Sequence, residues 1–264
     1  MKTSFTTMAT PGLSLDEIID AAKKYKFDCV DLRVRNDGEI PADLTDKQAD
    51  DVKSKLDKAG IKLLSLFCYN DTIKSGKENM EKSILKHIEI AEKIDAVGVR
   101  IFSGKIETDE EFEDLCIVLE NVLEKYKGNI NIFMQNHSSN GLSCKQGINL
   151  CDRVKDSRLS FIFSPDECFK TSEEYMDILP EIAKITKQMY IADITKEKKY
   201  CLIGDGVIKF KEIIGQMKDN GFDGYLTLKW EKCWCDYLPF YEEGFKSFFR
   251  YLYDNNFKII LFST

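Results

Sequence analysis

The sequence lacks the features of a membrane protein or a nucleic-acid-binding protein. None of its apolar runs approaches the roughly 20 residues that cross a bilayer as a helix. It does not begin with a basic segment followed by an apolar one, as a signal peptide does. Its formal net charge of −7 disfavours non-specific binding to phosphates. We therefore expect a cytoplasmic protein that binds neither membranes nor nucleic acid.

Histidines and closely paired cysteines are scarce as well. The chain has two histidines, and none of its nine cysteines forms a C-x-x-C pair. Reduced thiols are the simplest expectation for such scattered cysteines. Cys233 and Cys235 form the only close pair. A zinc site there is disfavoured because too few further ligands stand at a suitable spacing.

A dinucleotide-binding fingerprint and an interdomain linker are also missing. No G-x-G-x-x-G motif follows an early strand, and no stretch rich in proline, glycine and serine divides the chain. Mostly apolar, β-rich runs alternate instead with amphipathic stretches, which is typical of parallel strands buried on both faces. The predicted strands are residues 3–9, 29–34, 62–68, 97–102, 131–134, 159–163, 188–192 and 225–229. We predict an α/β fold, a (β/α)₈ TIM barrel in which residues 1–264 form a single domain.

Capping signals mark the predicted helix boundaries. A hydroxyl residue followed three positions later by Glu or Gln predicts a capping box. The pairs are Ser14 with Glu17, Thr45 with Gln48, Thr108 with Glu111, Ser143 with Gln146, and Thr171 with Glu174. Lysines followed by Gly60, Gly128 and Gly221 indicate helix ends. The last helix is predicted near residues 237–253, and the apolar tail 257–264 is left unassigned, as a cover for the barrel or for a partner subunit.

Several segments, taken in order, resemble one known family. They are AVGVRIFSG (96–104), INIFMQNH (130–137), FIFSPDE (161–167), MYIADI (189–194), GDG (204–206) and GFDGYLTLKWE (221–231). Their order and spacing resemble the xylose isomerase-like barrels of the sugar phosphate isomerase and epimerase group, which also includes endonuclease IV. The resemblance implies a TIM barrel that acts on a small sugar, polyol or hydroxy acid. It also implies metal-dependent isomerisation or epimerisation.

Four positions depart from the pattern of that family. Gln135 and Lys229 stand where the resemblance implies two glutamates, Ser164 where it implies an aspartate, and Tyr190 where it implies a histidine. A glutamine cannot act as a carboxylate base, and a protonated lysine cannot ligate a metal. We therefore expect a degenerate metal site that holds neither a metal nor another cofactor. Lys229, Tyr190 and Gln135 are the catalytic candidates, and Ser164 is a ligand-binding candidate.

The replacements also predict the kind of ligand. Exchanging three carboxylates and a divalent ion for these four side chains makes the site more positive, which favours an anionic or carbonyl-bearing small molecule. Lys229 is expected to bond to the other three replaced residues, while Asp193 or Glu231 compensates its charge. An alternative is that Lys229 is a Schiff-base nucleophile whose pKa is lowered by burial.

Other polar residues near the predicted strand ends complete the candidate site. The further ligand-binding candidates are His137, Arg100, Asp166, Glu167, Asp193 and Glu231. The last four of these are also the residues that would rebuild a displaced metal site. Asp31 and Arg33 would bind substrate or, as we prefer, form an ion pair within the barrel. His87 is interpreted as a surface or packing residue.

An aromatic segment follows the last predicted strand. It consists of Trp230, Trp234, Tyr237, Phe240 and Tyr241. These rings would stack on the face of a sugar, or else pack against a helix or a partner subunit.

The sequence is consistent with three functions. The first is a divergent barrel that binds a small polar ligand, or runs a metal-free reaction around Lys229 and Tyr190. The second is a working sugar isomerase or epimerase with a displaced metal. The third is a regulatory or interaction protein that keeps the scaffold alone. Whether the protein is an enzyme, and whether it forms a homo-oligomer, is left open at this point.

Overall fold

The computed structural model describes residues 1–35 and 37–257. Eight parallel strands close into a barrel in chain order, and a short antiparallel hairpin follows the seventh. The strands are β1 (Lys2–Thr6), β2 (Cys29–Val34), β3 (Lys62–Cys68), β4 (Gly98–Ile101), β5 (Asn131–Gln135), β6 (Leu159–Phe163), β7 (Thr186–Ile191), β8 (Asp193–Ile194), β9 (Tyr200–Cys201) and β10 (Tyr225–Leu228), of which β8 and β9 form the hairpin. The predicted (β/α)₈ barrel is confirmed.

Helices link consecutive barrel strands and form the outer layer. They are α1 (Leu15–Tyr25), α2 (Asp46–Ala59), α3 (Lys77–Lys93), α4 (Asp109–Lys125), α5 (Cys144–Val154), α6 (Pro165–Thr171), α7 (Leu179–Ile185), α8 (Phe210–Asp219) and α9 (Tyr241–Asp254). None of the helices in the described ranges has the length and apolar character needed to span a membrane. The predicted tail 257–264 lies outside the described residues except for Phe257, which packs against the core.

The capping predictions are confirmed in most cases. Ser14, Thr45 and Ser143 each form a reciprocal capping box. Thr108 accepts the backbone N–H of Glu111, but the Glu111 carboxylate accepts the N–H of Glu107 instead of closing the box.

Two predicted helix starts are wrong. Thr171 is the last residue of α6, and its hydroxyl donates to the carbonyls of Glu167 and Cys168, so it satisfies a helix end. The final helix begins at Tyr241, because residues 231–240 form turns before it.

Polar side chains fill part of the barrel interior. The Asp31 carboxylate accepts the Ser4 hydroxyl at 3.0 Å and the Gln188 amide at 2.5 Å, and Gln188 also donates to Thr227 at 2.8 Å. Burial raises the pKa of Asp31 to about 7. The predicted Asp31–Arg33 ion pair is wrong, because Arg33 pairs with Glu39 at 3.0 Å.

The predicted packing role of His87 is confirmed. His87 is buried on α3, where its Nδ1 atom lies 2.7 Å from the Ser83 carbonyl oxygen. An apolar cluster inside the barrel lies next to the strand ends and consists of Met8, Phe67, Phe102, Phe133, Ile162 and Tyr190.

The close approach of β4 to β5 gives a test of packing. A Cβ atom on Gly98 would overlap the Phe133 ring and lie 2.7 Å from the carbonyl oxygen of Asn131. We expect Gly98→Ala to lower the free energy of unfolding in urea by about 1–3 kcal/mol through overpacking. Gly215→Ala on α8 is the control, because nothing lies within 4 Å of the added Cβ. It should be neutral or stabilising by up to about 1 kcal/mol. Equal effects of the two substitutions would contradict this packing.

Candidate functional site

A cavity of about 280 Å³ opens at the carboxyl ends of the barrel strands. The predicted site residues that line it are Arg100, Gln135, His137, Glu167, Lys229 and Glu231. Ser164, Asp166 and Tyr190 are fully buried, and the first two contact Lys229 directly. Six of the ten predicted site residues therefore line this cavity.

Lys229 lies at the centre of the site. Its backbone N–H donates to the carbonyl of Ile191, which continues the pairing of β10 with β7 by one residue. Its ammonium lies 2.7 Å from Asp166 Oδ2, 3.0 Å from Glu167 Oε1 and 3.2 Å from Ser164 Oγ. Both carboxylates come from the first turn of α6, where they also face the positive end of that helix.

The predicted partners of Lys229 need correction. Ser164 is a partner, but Gln135 bonds to Arg100, and the Tyr190 hydroxyl has no hydrogen-bond partner among the residues that the structure describes. Asp193 does not compensate the ammonium, since its carboxylate accepts four backbone N–H groups from residues 194–208. Its role in the structure is to hold the loop between β8 and α8.

Charge pairing determines the protonation of this centre. Burial opposes ionisation of Lys229, but Asp166 and Glu167 outweigh it and hold the pKa of Lys229 well above its ordinary value. Burial likewise opposes ionisation of Glu167, but Lys229 and Lys170 bring its pKa well below the usual range. The lowered pKa that a nucleophilic Lys229 requires is therefore contradicted, and Lys229 is an ammonium ion at neutral pH.

Lys170 and Tyr200 contact the carboxylates around Lys229, and neither residue was predicted from the sequence. Lys170 Nζ donates to Glu167 Oε1 at 2.9 Å and to the Tyr200 hydroxyl at 2.5 Å. Tyr200 in turn lies 3.3 Å from Asp166 Oδ2 and 3.4 Å from Glu231 Oε1. The spacing of Lys170, three residues after Glu167 on one helix, was a signal for this contact. No sequence spacing indicated Tyr200, because it reaches the site through the fold of the β8–β9 hairpin.

Of the three carboxyl groups that form salt bridges with Lys229, Glu231 is the most weakly paired. It lies 3.8 Å from Lys229 Nζ, and its side chain is 12% exposed in the wall of the cavity. Burial raises its pKa above the ordinary value, and the attraction of Lys229 offsets only part of that shift. A carboxyl group in such a position is suited to proton transfer.

Arg100 is held by neutral groups. Its Nε and Nη2 atoms donate to Gln135 Oε1 at 2.8 and 2.5 Å. Its guanidinium carbon lies 3.9 Å from the Phe67 ring centroid and 3.5 Å from that of Phe102. No carboxylate within residues 1–35 and 37–257 forms a salt bridge with Arg100, and its Nη1 atom has no hydrogen-bond partner there. The Arg100 residue is 1% exposed, so its positive charge is buried without a counter-ion among the described residues.

His137 is a neutral hydrogen-bonding residue. Burial lowers its pKa to about 4. Its Nδ1 atom accepts the backbone N–H groups of Ser139 and Asn140, both at 3.3 Å, which assigns the proton to Nε2. The imidazole lines the cavity and can donate one hydrogen bond to a ligand there.

Aromatic side chains form the remaining walls. Trp234 and Tyr69 line the cavity, and both contact Arg35, whose guanidinium carbon is 5.4 and 4.8 Å from their ring centroids. Trp230 is buried and donates to the Pro239 carbonyl. Of the predicted aromatic segment, Trp234 is thus the ring that borders the cavity, while Tyr237 and Phe240 are exposed outside it.

The pairing of Glu167 predicts a pH-dependent stability. We expect Glu167→Gln to lower the free energy of unfolding at pH 7 by about 3 kcal/mol, because it breaks a buried ion pair. The folded-state pKa is lowered, so the contribution is fully present above the unfolded pKa of about 4.3 and is lost as the pH falls through the folded pKa. Urea titrations at several pH values should show the free energies of unfolding of the variant and the wild type converging below about pH 4.3. Glu243→Gln, at an exposed pair with Lys246, is the control and should change nothing measurable. A loss of stability in Glu167→Gln that did not change with pH would contradict an ionised Glu167 paired with Lys229.

Comparison with known structures identifies the same fold in several proteins. D-psicose 3-epimerase from Clostridium cellulolyticum H10 superposes with a TM-score of 0.77 at 13% identity, covering 96% of this chain and 99% of that one. The IOLI protein with a bound zinc atom gives 0.77 at 17% identity over 100% of both chains. The 3-keto-D-glucoside 4-epimerase YcjR from E. coli gives 0.75 at 13% identity, covering 96% and 99%. At these identities the likeness concerns the fold.

Sequence comparison assigns the family. No curated protein matches the sequence significantly. The family model described as xylose isomerase-like TIM barrel matches residues 19–261. Together with the closed barrel, this match shows that the chain belongs to the xylose isomerase-like TIM barrel family.

Proposed function

We propose that the protein binds a small polyhydroxylated carboxylate in the cavity at the strand ends, and does so without a divalent metal. The observation that carries the proposal is Arg100, a buried guanidinium that lacks a protein counter-ion among the described residues. Burying an unpaired charge is costly, and a ligand carboxylate that reached Arg100 would remove that cost.

The residues at the family's metal positions support the metal-free part of the proposal. They supply an amide, two hydroxyls and an ammonium, none of which is a good ligand for a divalent cation at neutral pH. The neighbouring carboxylates Asp166 and Glu167 already pair with the Lys229 ammonium at 2.7 and 3.0 Å. A divalent cation at this place would have to displace Lys229 and leave it buried without partners. The residues present therefore do not fit the metal that the family implies.

The polyhydroxylated character of the ligand rests on two supports. Proteins of the same fold include D-psicose 3-epimerase and 3-keto-D-glucoside 4-epimerase, whose names refer to sugars. The cavity also presents the His137 imidazole, Lys170 and the Trp234 ring, which suit hydroxyl groups and the apolar face of a sugar. A volume of about 280 Å³ limits the ligand to a small molecule.

Glu231 favours a second function for the same site, which is metal-free proton transfer at a carbon next to the carboxylate. Its raised pKa and its place in the cavity wall suit a general base. Removing a proton from the carbon next to the carboxylate would place negative charge on the carboxylate oxygens, where Arg100 would stabilise it. Lys229 and Tyr200, at 3.8 and 3.4 Å from Glu231 Oε1, would position the Glu231 base. Such a reaction would keep the proton chemistry of an epimerase while replacing the metal by fixed charges.

Binding should depend on the carboxylate and on Arg100. In calorimetric titrations with EDTA present, we expect D-gluconate or D-glucuronate to bind and D-glucitol to bind much more weakly. Arg100→Gln should raise the Kd by about 10- to 100-fold, because a hydrogen-bonded charge contributes about 1.5–3 kcal/mol. Arg100→Lys keeps the charge but loses the planar fork, and should also weaken binding.

Arg153→Gln is the matched control, since that residue pairs with Glu120 on the outer surface. Circular dichroism of each variant checks that the barrel is folded. Equal binding of the acid and the polyol, or binding abolished by EDTA, would contradict the proposal. If no member of a panel of sugar acids and polyols shifted the melting temperature, the protein would be better explained as an interaction scaffold.

The proton-transfer function has a separate test. With a bound sugar acid in D₂O, we expect NMR to detect exchange of the carbon-bound proton next to the carboxylate, and Glu231→Gln to abolish it without weakening binding. The rate should fall as the pH is lowered, with a midpoint above the ordinary glutamate value of about 4.3. If the wild type binds the sugar acid tightly but the carbon-bound proton does not exchange, this reaction is excluded and the protein only binds its ligand.

A further inference from the structure

A second group of potential ligands lies behind the strand-end cavity, on α5 and α6. Cys144 is the first residue of α5, Cys168 lies within α6, and Glu173 follows α6 by two residues. The two Sγ atoms are 3.4 Å apart, and Glu173 Oε1 accepts the backbone N–H of Cys144 at 2.7 Å. One ligand atom from each of the three residues lies within 4.8 Å of the others. Among residues 1–35 and 37–257, no other group of three such residues meets this condition.

We propose that Cys144, Cys168 and Glu173 bind one zinc-like divalent metal ion. Two thiolates and a carboxylate form a soft donor set that selects Zn²⁺ over Mg²⁺ or Ca²⁺. Two Zn–S bonds of about 2.3 Å at a tetrahedral angle place the sulfurs about 3.8 Å apart. The observed separation of 3.4 Å is within a few tenths of an ångström of that value. Oxygen Oε1 of Glu173 can remain bonded to the α5 N-terminus while the other carboxylate oxygen binds the metal.

The surroundings of the sulfurs support a thiolate site. Asn136 Nδ2 donates to Cys168 Sγ at 3.2 Å, which is the type of outer hydrogen bond that stabilises a metal-bound thiolate. Glu173 also lines a solvent-connected cavity of about 340 Å³, together with Asn136. This cavity gives a metal ion an entry path and leaves room for a water molecule as the fourth ligand.

The site differs in chemistry from the cavity around Lys229. It uses sulfur donors, whereas Asp166, Glu167 and Glu231 offer oxygen only. The binding step releases two thiol protons, one from each cysteine, so the affinity should increase with pH. Asn136 connects the two places, because its amide also exchanges hydrogen bonds of 2.8 and 2.7 Å with the backbone of Ser164. A bound metal would therefore join α5 to the helix that carries the partners of Lys229.

Cobalt titration of the reduced, metal-free protein tests the proposal. We expect one Co²⁺ per chain, a thiolate-to-cobalt charge-transfer band, the visible spectrum of tetrahedral Co²⁺, and displacement of the cobalt by Zn²⁺. Cys168→Ser should either remove the charge-transfer band, or reduce it by half and weaken Co²⁺ binding at least tenfold. Glu173→Gln should also weaken Co²⁺ binding at least tenfold. Cys151→Ser on α5 is the matched control and should leave the titration unchanged.

Three results would overturn the proposal. One is the absence of cobalt binding by a wild-type protein whose circular dichroism is native. Another is binding without a thiolate band that Glu231→Gln weakens and Cys168→Ser does not, which would locate the metal in the strand-end cavity. The last is a Cys144–Cys168 disulfide, detected as two blocked thiols and the loss of two hydrogens by mass spectrometry, that forms in air even when Zn²⁺ is in excess. Glu173→Gln keeps both thiols and so remains informative if a cysteine variant fails to fold.

Discussion

The site depends on one buried ammonium ion and the two carboxylates that surround it. Lys229, at the end of the last barrel strand, reaches Asp166 and Glu167 at the start of α6, and each group is stable in the interior only because the others are charged. This pairing fixes the first turn of α6 against the barrel. It also determines what the remaining groups can do, since it leaves Glu231 only weakly paired and Arg100 without a counter-ion among the described residues.

The proposed function rests on the two kinds of charged group that line one small cavity. Arg100 carries a buried positive charge that bonds to Gln135 and packs against the rings of Phe67 and Phe102. Glu231 lies close to Lys229 and Tyr200, and we propose that it takes a proton from a ligand there. We propose that fixed protein charges have taken over the role that a divalent metal has in the family. The group formed by Cys144, Cys168 and Glu173 is a separate feature of the same region.

The sequence predicted the barrel because the signals for it are local. Apolar runs marked β2, β3 and β6 to the residue, and hydroxyl residues marked the starts of α1, α2 and α5. The cavity was predictable because side chains at parallel strand ends must meet. Of the partners of Lys229, Ser164 and Glu231 were predicted. Asp166 and Glu167 were not predicted in place of Asp193, because that choice depends on how the α6 and β8–β9 segments bend after their strands. Tyr200 was missed for the same reason, since a hairpin carries it into the site.

The most direct test is a crystal structure of the protein grown with Mn²⁺ and a sugar acid, with anomalous diffraction recorded at the manganese absorption edge. If the ligand binds without a metal, its carboxylate should lie against Arg100, and the Lys229 ammonium should still lie between Asp166 and Glu167. The strand-end cavity should show no manganese peak. A manganese peak among Asp166, Glu167 and Glu231, with Lys229 turned away, would contradict the account and identify a metal-dependent member of the family.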